Sequence, residues 1–298
     1  MKRAAAVVLA FVLAGCRPHE RIVVGSKNFG EQVLLGEIVA QTIEQQTRLP
    51  VERRLNLGGT FVCDRALRAG EIDVYVEYTG TAYTAILKRP PIADRKAVLA
   101  EVRTRYAEHE LVWTEPLGFE NTFAIVVRGA DAEQLGIARI SDLAVHPDLK
   151  PAFGYEFMER ADGFRGLARA YGLAFREPPR VMDLGLLYRA LIDRQVDLAA
   201  GNSTDGLIAS LGLRVLEDDR HYFPPYDAVP IARHAVLERH PEVRAALDSL
   251  GGRISAAEMR RLNYRVEGDR MPAERVARDF LTALRGSAAA PHPAGGAP

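Results

Sequence analysis

Short apolar runs rich in β-branched residues alternate along the chain with longer segments whose apolar residues recur at helical spacing. Residues 21–25 (RIVVG) predict a strand, and residues 31–45 carry their apolar side chains on one helical face. Residues 51–57 and 72–76 predict further strands, with a helix over residues 61–69 between them. This alternation predicts an α/β lobe.

The same alternation returns in the second half of the chain, so we predict two α/β lobes. Residues 21–124 and 225–285 are assigned to lobe 1, and residues 125–224 to lobe 2. The remaining predicted strands are 111–113, 123–127, 151–154, 196–199 and 228–233. The remaining predicted helices are 164–171, 186–193, 241–250, 256–266 and 272–284.

A weak internal repeat supports the two lobes, because residues 49–82 align without a gap on residues 173–206. The alignment places YTGT, which begins at Tyr78, on NSTD, which begins at Asn202. Both polar clusters follow a predicted strand, which is where open α/β sheets bind ligands. Two such edges facing each other would form a cleft that closes about a hinge. Chance similarity between α/β segments is the alternative interpretation.

Composition narrows the possible functions. The 298 residues are 48% hydrophobic and 26% charged, which suits a globular protein with two cores. Lys and Arg balance Asp and Glu at 39 each, so the chain lacks the basic excess expected of a nucleic-acid-binding protein. The seven histidines are scattered, and no Walker loop, HExxH, GxSxG or GxGxxG motif occurs. We therefore expect neither an enzyme nor a metal or cofactor site.

The first sixteen residues have the layout of a lipoprotein signal peptide. A basic start precedes an apolar run that is too short to span a bilayer comfortably, and LAGC ends at Cys16 like a bacterial lipobox. We predict an exported protein held at a membrane by acylated Cys16, with an ordinary cleaved signal or a short anchor as the alternative. Cys63 is then the one remaining thiol and is expected in the core. Residues 286–298 predict a disordered tail.

Several motifs, taken in order, resemble one protein family. They are IVVGSKNFGEQ, LNLGGT, GEIDVYVEYTGTA, PLGFENTFA, ERADGFRGL, STDGLI and DDRHYFPPYDAVP, and they extend from about Ile22 to about Leu284. Together they resemble the substrate-binding proteins of bacterial ABC importers for glycine betaine, choline and carnitine. The resemblance implies a two-lobed periplasmic-binding-protein fold of type II and a quaternary-ammonium ligand between the lobes. It also implies a monomer whose partner is a membrane permease.

The resemblance identifies an aromatic cage. A trimethylammonium group has no N–H to donate, so the electron-rich faces of aromatic rings are the groups suited to bind it. The cage positions fall on Tyr78, Phe123, Asn202 and Tyr226, all of which are typically tyrosine in relatives. Phe123 keeps an aromatic face, but Asn202 does not. The cage is therefore expected to lack one wall. Core aromatics at Tyr78, Phe123 and Tyr226, and a turn residue at Asn202, are the structural alternatives.

Polar contacts are also implied for the rest of the ligand. Thr81 is expected to donate from lobe 1, and Arg160 to bind a carboxylate from lobe 2 with its planar fork. Lys27 is expected at the rim, and Asn121 beside the cage. A surface salt bridge to Glu156 is the alternative for Arg160, and a cap on the first helix is the alternative for Lys27.

The missing wall leaves the ligand open. Tyr83, Tyr155 and Tyr222 lie near enough in sequence to the motifs to replace it. A bulkier trimethylated amino acid of the ergothioneine kind would instead fill the space itself. A sensory or scaffold lipoprotein that has kept the fold is the remaining alternative.

Overall fold

Residues 21–289 are described by a computed structural model, in which two five-stranded sheets organise the chain. The predicted signal segment with Cys16, and residues 290–298 of the predicted tail, lie outside the described residues. The strands are β1 (Ile22–Lys27), β2 (Val51–Gly58), β3 (Val74–Tyr78), β4 (Leu111–Trp113), β5 (Phe123–Arg128), β6 (Pro151–Phe153), β7 (Arg180–Val181), β8 (Leu198–Asn202), β9 (Leu213–Val215) and β10 (Ala228–Arg233).

Helices connect the strands and cover the sheets. They are α1 (Gly30–Thr47), α2 (Thr60–Ala69), α3 (Thr79–Thr81), α4 (Arg95–Ala107), α5 (Gly129–Leu135), α6 (Tyr155–Glu159), α7 (Phe164–Tyr171), α8 (Leu184–Ile192), α9 (Leu207–Ser210), α10 (His234–Arg239), α11 (Pro241–Asp248), α12 (Ala256–Glu267) and α13 (Ala273–Ala289). A π-helical turn (Ala82–Ile86) follows α3, and a 3-10 helix covers Ile140–Val145. Within the described residues, no helix combines the length and apolar character needed to cross a bilayer.

The two sheets have the same architecture. The strand order is β2-β1-β3-β10-β4 in the first and β7-β6-β8-β5-β9 in the second. Three neighbouring strands are parallel in each sheet, and the fourth strand, β10 or β5, is antiparallel to its neighbours. The segments aligned by the internal repeat, β3 with β8 and α2 with α8, occupy equivalent positions. The molecule is therefore a two-lobed α/β protein, as predicted.

The chain passes between the lobes twice. A backbone bridge pairs Glu120 with Asp227, and the N–H of Asn121 donates to the carbonyl of Tyr226 at 3.0 Å. We call the first sheet with its helices lobe 1 and the second sheet with its helices lobe 2. The paired segments form the hinge, which places Asn121 and Tyr226 at the junction.

Apolar clusters cover both faces of each sheet, as a sheet with parallel strands requires. In lobe 1, Leu34 and Ile38 of α1 are fully buried against the same cluster as Val276 and Phe280 of α13. That packing holds α13 against α1, and the helix ends at Ala289. It continues past the predicted end at residue 284, so residues 286–289 of the predicted tail are helical.

Candidate functional site

A cavity of about 670 Å³ lies in the cleft between the lobes. Strands of both sheets end at it: Lys27 is the last residue of β1, Tyr78 of β3 and Asn202 of β8. All eight residues predicted to bind ligand line it, namely Lys27, Tyr78, Thr81, Asn121, Phe123, Arg160, Asn202 and Tyr226. The structure thus brings the predicted residues together, while their contacts with a ligand stay a prediction.

Tyr78 contributes its ring to the cavity and its hydroxyl to a buried carboxylate. The hydroxyl donates to Glu31 Oε1 at 2.6 Å. The same oxygen accepts from Asn121 Nδ2 at 2.8 Å, while Oε2 accepts from Thr204 Oγ1 at 2.5 Å and Asn263 Nδ2 at 2.7 Å. Glu31 therefore connects lobe 1, the hinge and lobe 2. It also holds the Tyr78 ring in place through the hydroxyl group.

The partners of Glu31 are all neutral. Burial raises the pKa of Glu31 above 4.5, while the hydrogen bonds from Thr204, Tyr78 and Asn263 act to lower it. An ionised carboxylate at this depth is stable only because four donors satisfy it. A cation in the neighbouring cavity would favour its charged form further.

Phe123 and Tyr226 form an aromatic wall at the hinge. Their ring centroids are 6.0 Å apart and their planes meet at 75°, and Phe123 also packs on Phe157 at 4.7 Å. The guanidinium of Arg160 lies 4.9 Å from the centroid of Phe123 and 5.9 Å from that of Tyr226. The ring faces therefore already attract a cation of the protein itself.

Arg160 is neutralised by a carboxylate two residues away. Its Nε donates to Asp162 Oδ1 at 2.8 Å and its Nη2 to Asp162 Oδ2 at 2.5 Å, in the bidentate geometry of a strong charge-assisted pair. Burial acts to raise the pKa of Asp162, but the hydrogen bond and charge of Arg160 hold that pKa below 3.8. The alternative of a surface salt bridge with Glu156 is wrong, because Arg160 is 6% exposed and its partner is Asp162.

Side chains of lobe 1 and of the hinge complete the surroundings of this ion pair. Thr84 and Tyr226 each donate a hydroxyl to Asp162 Oδ2 at 2.6 Å, and Arg160 Nη1 donates to Thr81 Oγ1 at 3.2 Å. The Arg160–Asp162 pair therefore belongs to lobe 2, but its remaining side-chain hydrogen bonds are made with lobe 1 and the hinge. Thr81, expected to donate to a ligand, accepts a hydrogen bond from Arg160.

Lys27 is buried and not at the rim, which corrects the prediction. It is 3% exposed, and its Nζ donates to Glu77 Oε1 at 2.5 Å. The same nitrogen lies 5.1 Å from the centroid of the Tyr78 ring. Burial raises the pKa of Glu77, and the charge and hydrogen bond of Lys27 oppose that rise. Both cations of the cavity wall are thus paired, and neither caps α1.

Asn202 lies between the cavity and a buried acidic group. Its backbone N–H donates to Asp205 Oδ2 at 2.8 Å, so Asn202 does hold the turn after β8 while also lining the cavity. Tyr188 of α8 donates its hydroxyl to the same carboxylate. Burial raises the pKa of Asp205, and these hydrogen bonds oppose it.

The absent ring at Asn202 leaves several neighbouring rings around the cavity. Of the three predicted replacements, Tyr155 lines it, whereas Tyr83 and Tyr222 do not contribute to its wall. Phe29 and Tyr188 also line it, and the sequence reasoning missed both. Neither lies next to a cage position in sequence, so only folding brings them there.

One further acid, Glu267 at the end of α12, faces the cavity. Burial, and then the charges of Asp205 and Glu31, raise its pKa from 4.5 to about 8. Its carboxylate lies against Gly30, where a Cβ would come within 2.6 Å of Oε1. Glu31, Asp205 and Glu267 thus place three carboxyl groups with raised pKa values in or beside this part of the site. The sequence contained no signal for the group, because its members are far apart in the chain.

Comparison with known proteins places this architecture among transport proteins. The family model described as the substrate-binding domain of ABC-type glycine betaine transport systems matches residues 20–283. The carnitine transport binding protein OpuCC of Listeria monocytogenes is 35% identical over 273 residues, which cover 90% of this chain and 88% of that protein.

Two further proteins are similar to this chain, and their descriptions name further ligands. The ergothioneine transport permease/ergothioneine binding protein EgtU of Helicobacter pylori is 36% identical over 267 residues, 88% of this chain and 47% of that longer protein. A crystal structure described as a glycine betaine/carnitine/choline ABC transporter is 33% identical, with a TM-score of 0.74 over 89% of this chain and 98% of that one.

Proposed function

The chain belongs to the family of substrate-binding domains of ABC-type glycine betaine transport systems, and from this we propose that its cavity binds a quaternary-ammonium solute through aromatic faces. It is the substrate-binding component of such a transport system. Its relatives are transport binding proteins, not enzymes, and no catalytic role is proposed. The finer assignment concerns which residues bind the solute and by which forces.

One observation carries the proposal: the rings of Tyr78, Phe123 and Tyr226 converge on a single cavity between two lobes. Tyr78 belongs to the sheet of lobe 1, Phe123 begins a strand of lobe 2, and Tyr226 lies in the hinge. A quaternary nitrogen cannot donate a hydrogen bond, so ring faces are its main source of affinity. Each desolvated contact contributes about 0.5 to 2 kcal/mol.

The charges around the cavity also favour a cation. Arg160 is paired with Asp162, and Lys27 is paired with Glu77. Because each positive side chain is neutralised by a carboxylate, its repulsion of a bound cation is weakened. By contrast, no Lys or Arg is among the groups that shift the pKa values of Glu31, Asp205 and Glu267. A positive head group beside these carboxyl groups would favour their charged forms, so they would attract the solute to the extent that they ionise.

Cavity size favours a bulkier solute as a second candidate. Glycine betaine has eight non-hydrogen atoms; at roughly 30 Å³ each, the volume of a water in the liquid, it takes up about 240 Å³. The cavity of about 670 Å³ leaves room for a larger group. A trimethylated amino acid with a ring, such as ergothioneine, would use that space beside Asn202.

Calorimetric titration tests the proposal. The full chain, with Cys16→Ala to prevent lipidation, is titrated with choline, glycine betaine, carnitine, proline betaine and ergothioneine. Glycine, which lacks the three methyl groups of glycine betaine, is the control. Saturable binding of at least one quaternary amine, with none of glycine, is the expected result. Failure of all five to bind would refute the proposal and leave a sensory or scaffold role.

Delivery of the solute is proposed on the same basis. Substrate-binding proteins of this kind are extracytoplasmic, and we assign this one to the membrane surface through a lipid on Cys16. There the monomer would present its solute to the permease of the transport system. Membrane fractionation of cells expressing the chain with and without Cys16→Ala tests the anchor: the unchanged chain should sediment with membranes and the variant should not.

A further inference from the structure

Two hydrogen bonds across the cleft join a carboxylate of lobe 2 to a helix end of lobe 1. Glu156 is the second residue of α6, and its Oε1 accepts from the backbone N–H of Thr60 at 2.5 Å. Its Oε2 accepts from Thr60 Oγ1 at 3.3 Å. Since Thr60 is the first residue of α2, Glu156 occupies the position of an N-cap on a helix that belongs to the other lobe.

The N-terminus of α2 has no cap of its own. Its N-cap residue is Gly59, which carries no side chain and makes no capping bond. The first N–H groups of a helix have no partner within the helix, and the helix dipole favours negative charge beside them. A carboxylate supplied from lobe 2 satisfies both needs, but only while the lobes touch.

Gly59 also leaves the space that this carboxylate takes up. A Cβ at residue 59 would lie 2.1 Å from Glu156 Oε1, closer than any side chain tolerates. The backbone of Gly59 has φ −75°, which every residue adopts without strain. Glycine is therefore required here for the approach of Glu156 and not for the turn itself.

We propose that Glu156 is a positioning residue that stabilises the closed cleft by capping α2 across it, and that Gly59 is the residue that admits it. This inference rests on the proposed function, because it concerns how the cleft holds its solute. The bond exists only when the lobes meet, so it lowers the free energy of the closed form alone. Its loss should accelerate release of the solute and leave the rate of entry unchanged.

A second carboxylate makes the reverse connection. Glu31 is the second residue of α1 in lobe 1 and accepts from Thr204 of lobe 2. The two carboxylates thus reach in opposite directions from equivalent helices, α1 after β1 and α6 after β6, and these two strands hold the same position in their sheets. Glu31 also holds Tyr78 and Asn121, so its replacement would disturb the cavity directly. Glu156 also borders the cavity, but its carboxylate accepts hydrogen bonds from Thr60 and from no other described residue, so its replacement disturbs fewer cavity side chains.

Stopped-flow binding of choline and of glycine betaine tests the inference kinetically. Glu156→Ala should raise the dissociation rate about ten-fold, which corresponds to about 1.4 kcal/mol, with the association rate changed less than about two-fold. Glu156→Gln, which keeps a neutral acceptor, should give an intermediate rise. Glu159→Ala, an exposed glutamate on the same helix, is the matched control and should change neither rate.

Gly59→Ala supplies an independent route to the same state. Its methyl group displaces the Glu156 carboxylate, so its effect should equal that of Glu156→Ala. The double variant should be no worse than either single one, because both remove the same interaction. Thermal unfolding without solute should be unchanged in all of them, since the open lobes lack the bond.

A distance measurement separates failure of this inference from failure of the proposed function. Spin labels on Arg65→Cys and Arg189→Cys, exposed on α2 and α8, report lobe closure in a chain carrying Cys16→Ala. Cys63 is buried and its pKa is raised to about 12, so it does not compete for the label. If no solute shortens the distance in the otherwise unchanged chain, the proposed function fails. If solute closes that chain and Glu156→Ala equally, with equal release rates, Glu156 has no role in closure.

Discussion

Replacing Asp162 by asparagine should weaken the binding of a cationic solute. Asp162 neutralises Arg160 through two hydrogen bonds, and Arg160 lies over the rings of Phe123 and Tyr226 that we assign to the solute. Asparagine has nearly the same shape but no charge. The guanidinium, which stays protonated, then repels a second cation in the same aromatic surroundings.

The size of this repulsion follows from the geometry. The guanidinium is 4.9 Å from the Phe123 centroid, so a trimethylammonium group at a similar distance on the opposite face lies about 10 Å from it. With an effective dielectric constant of about 20, two unit charges at about 10 Å interact by about 1.7 kcal/mol. The dissociation constant for choline should therefore rise roughly fifteen-fold.

Calorimetry with two solutes isolates the electrostatic part. Glycine betaine carries a carboxylate that offsets its own cation, so Asp162→Asn should weaken its binding less than that of choline. Arg160→Gln combined with Asp162→Asn removes both charges and should recover choline binding relative to Asp162→Asn alone. Asp197→Asn, which breaks the Arg128–Asp197 pair of lobe 2, is the control for loss of an ion pair away from the cavity.

Stability must be followed in the same samples. Removing one partner of a buried ion pair costs about 3 to 5 kcal/mol, so thermal unfolding has to show that Asp162→Asn is folded at the titration temperature. Equal affinity of the folded variant and the unchanged chain for choline would refute the reasoning. A variant that loses both solutes alike would also refute it, because repulsion discriminates between them.

The remaining predictions concern the cage and its acids. Tyr78→Ala should weaken binding of a quaternary amine by about 2 kcal/mol, roughly thirty-fold, which calorimetric titration measures. Tyr78→Phe should keep the affinity but lower the melting temperature, because Glu31 loses a hydrogen-bond donor. Asn202→Tyr should tighten glycine betaine or choline by adding a ring, and no gain would indicate a solute that already fills that space. The pKa of Glu267 is raised from 4.5 to about 8, so the folded state retains a proton that the unfolded state loses, and stability falls as pH rises from 4.5 to 8. In melting experiments across this pH range, Glu267→Gln should remove the part of the stability loss that Glu267 causes. It should also flatten any rise of choline affinity between about pH 7 and 9.

Much of the fold was predictable because hydrophobic periodicity is strong where elements are well buried. The predicted bounds of β4, α7 and β10 agree with the structure, and α1 differs by one or two residues at each end. By contrast, α4 was not predicted. Only Val98, Val102 and Tyr106 of its thirteen residues are buried, and charged side chains occupy much of the remainder.

The wall of the site was predictable, but not its electrostatics. Motif resemblance identified residues that face the cavity, because strand ends bring them there. It did not identify Glu31, Glu77 or Asp162, whose roles depend on which donors meet them after folding. Tyr78 and Glu31, for example, are separated by 47 positions and meet at 2.6 Å. The misplacement of Lys27 has the same origin, since its burial is possible only because Glu77 neutralises it.

Comparison of a quaternary amine with its uncharged isostere tests the central claim most directly. Choline and 3,3-dimethylbutan-1-ol have the same shape, but carbon replaces the charged nitrogen in the alcohol. If ring faces bind the solute through its positive charge, the alcohol should bind at least about ten-fold more weakly, since two or three ring contacts lose their electrostatic part; glycine betaine and 3,3-dimethylbutanoate provide the matching pair for a zwitterion. Equal affinity for the members of each pair would contradict the account.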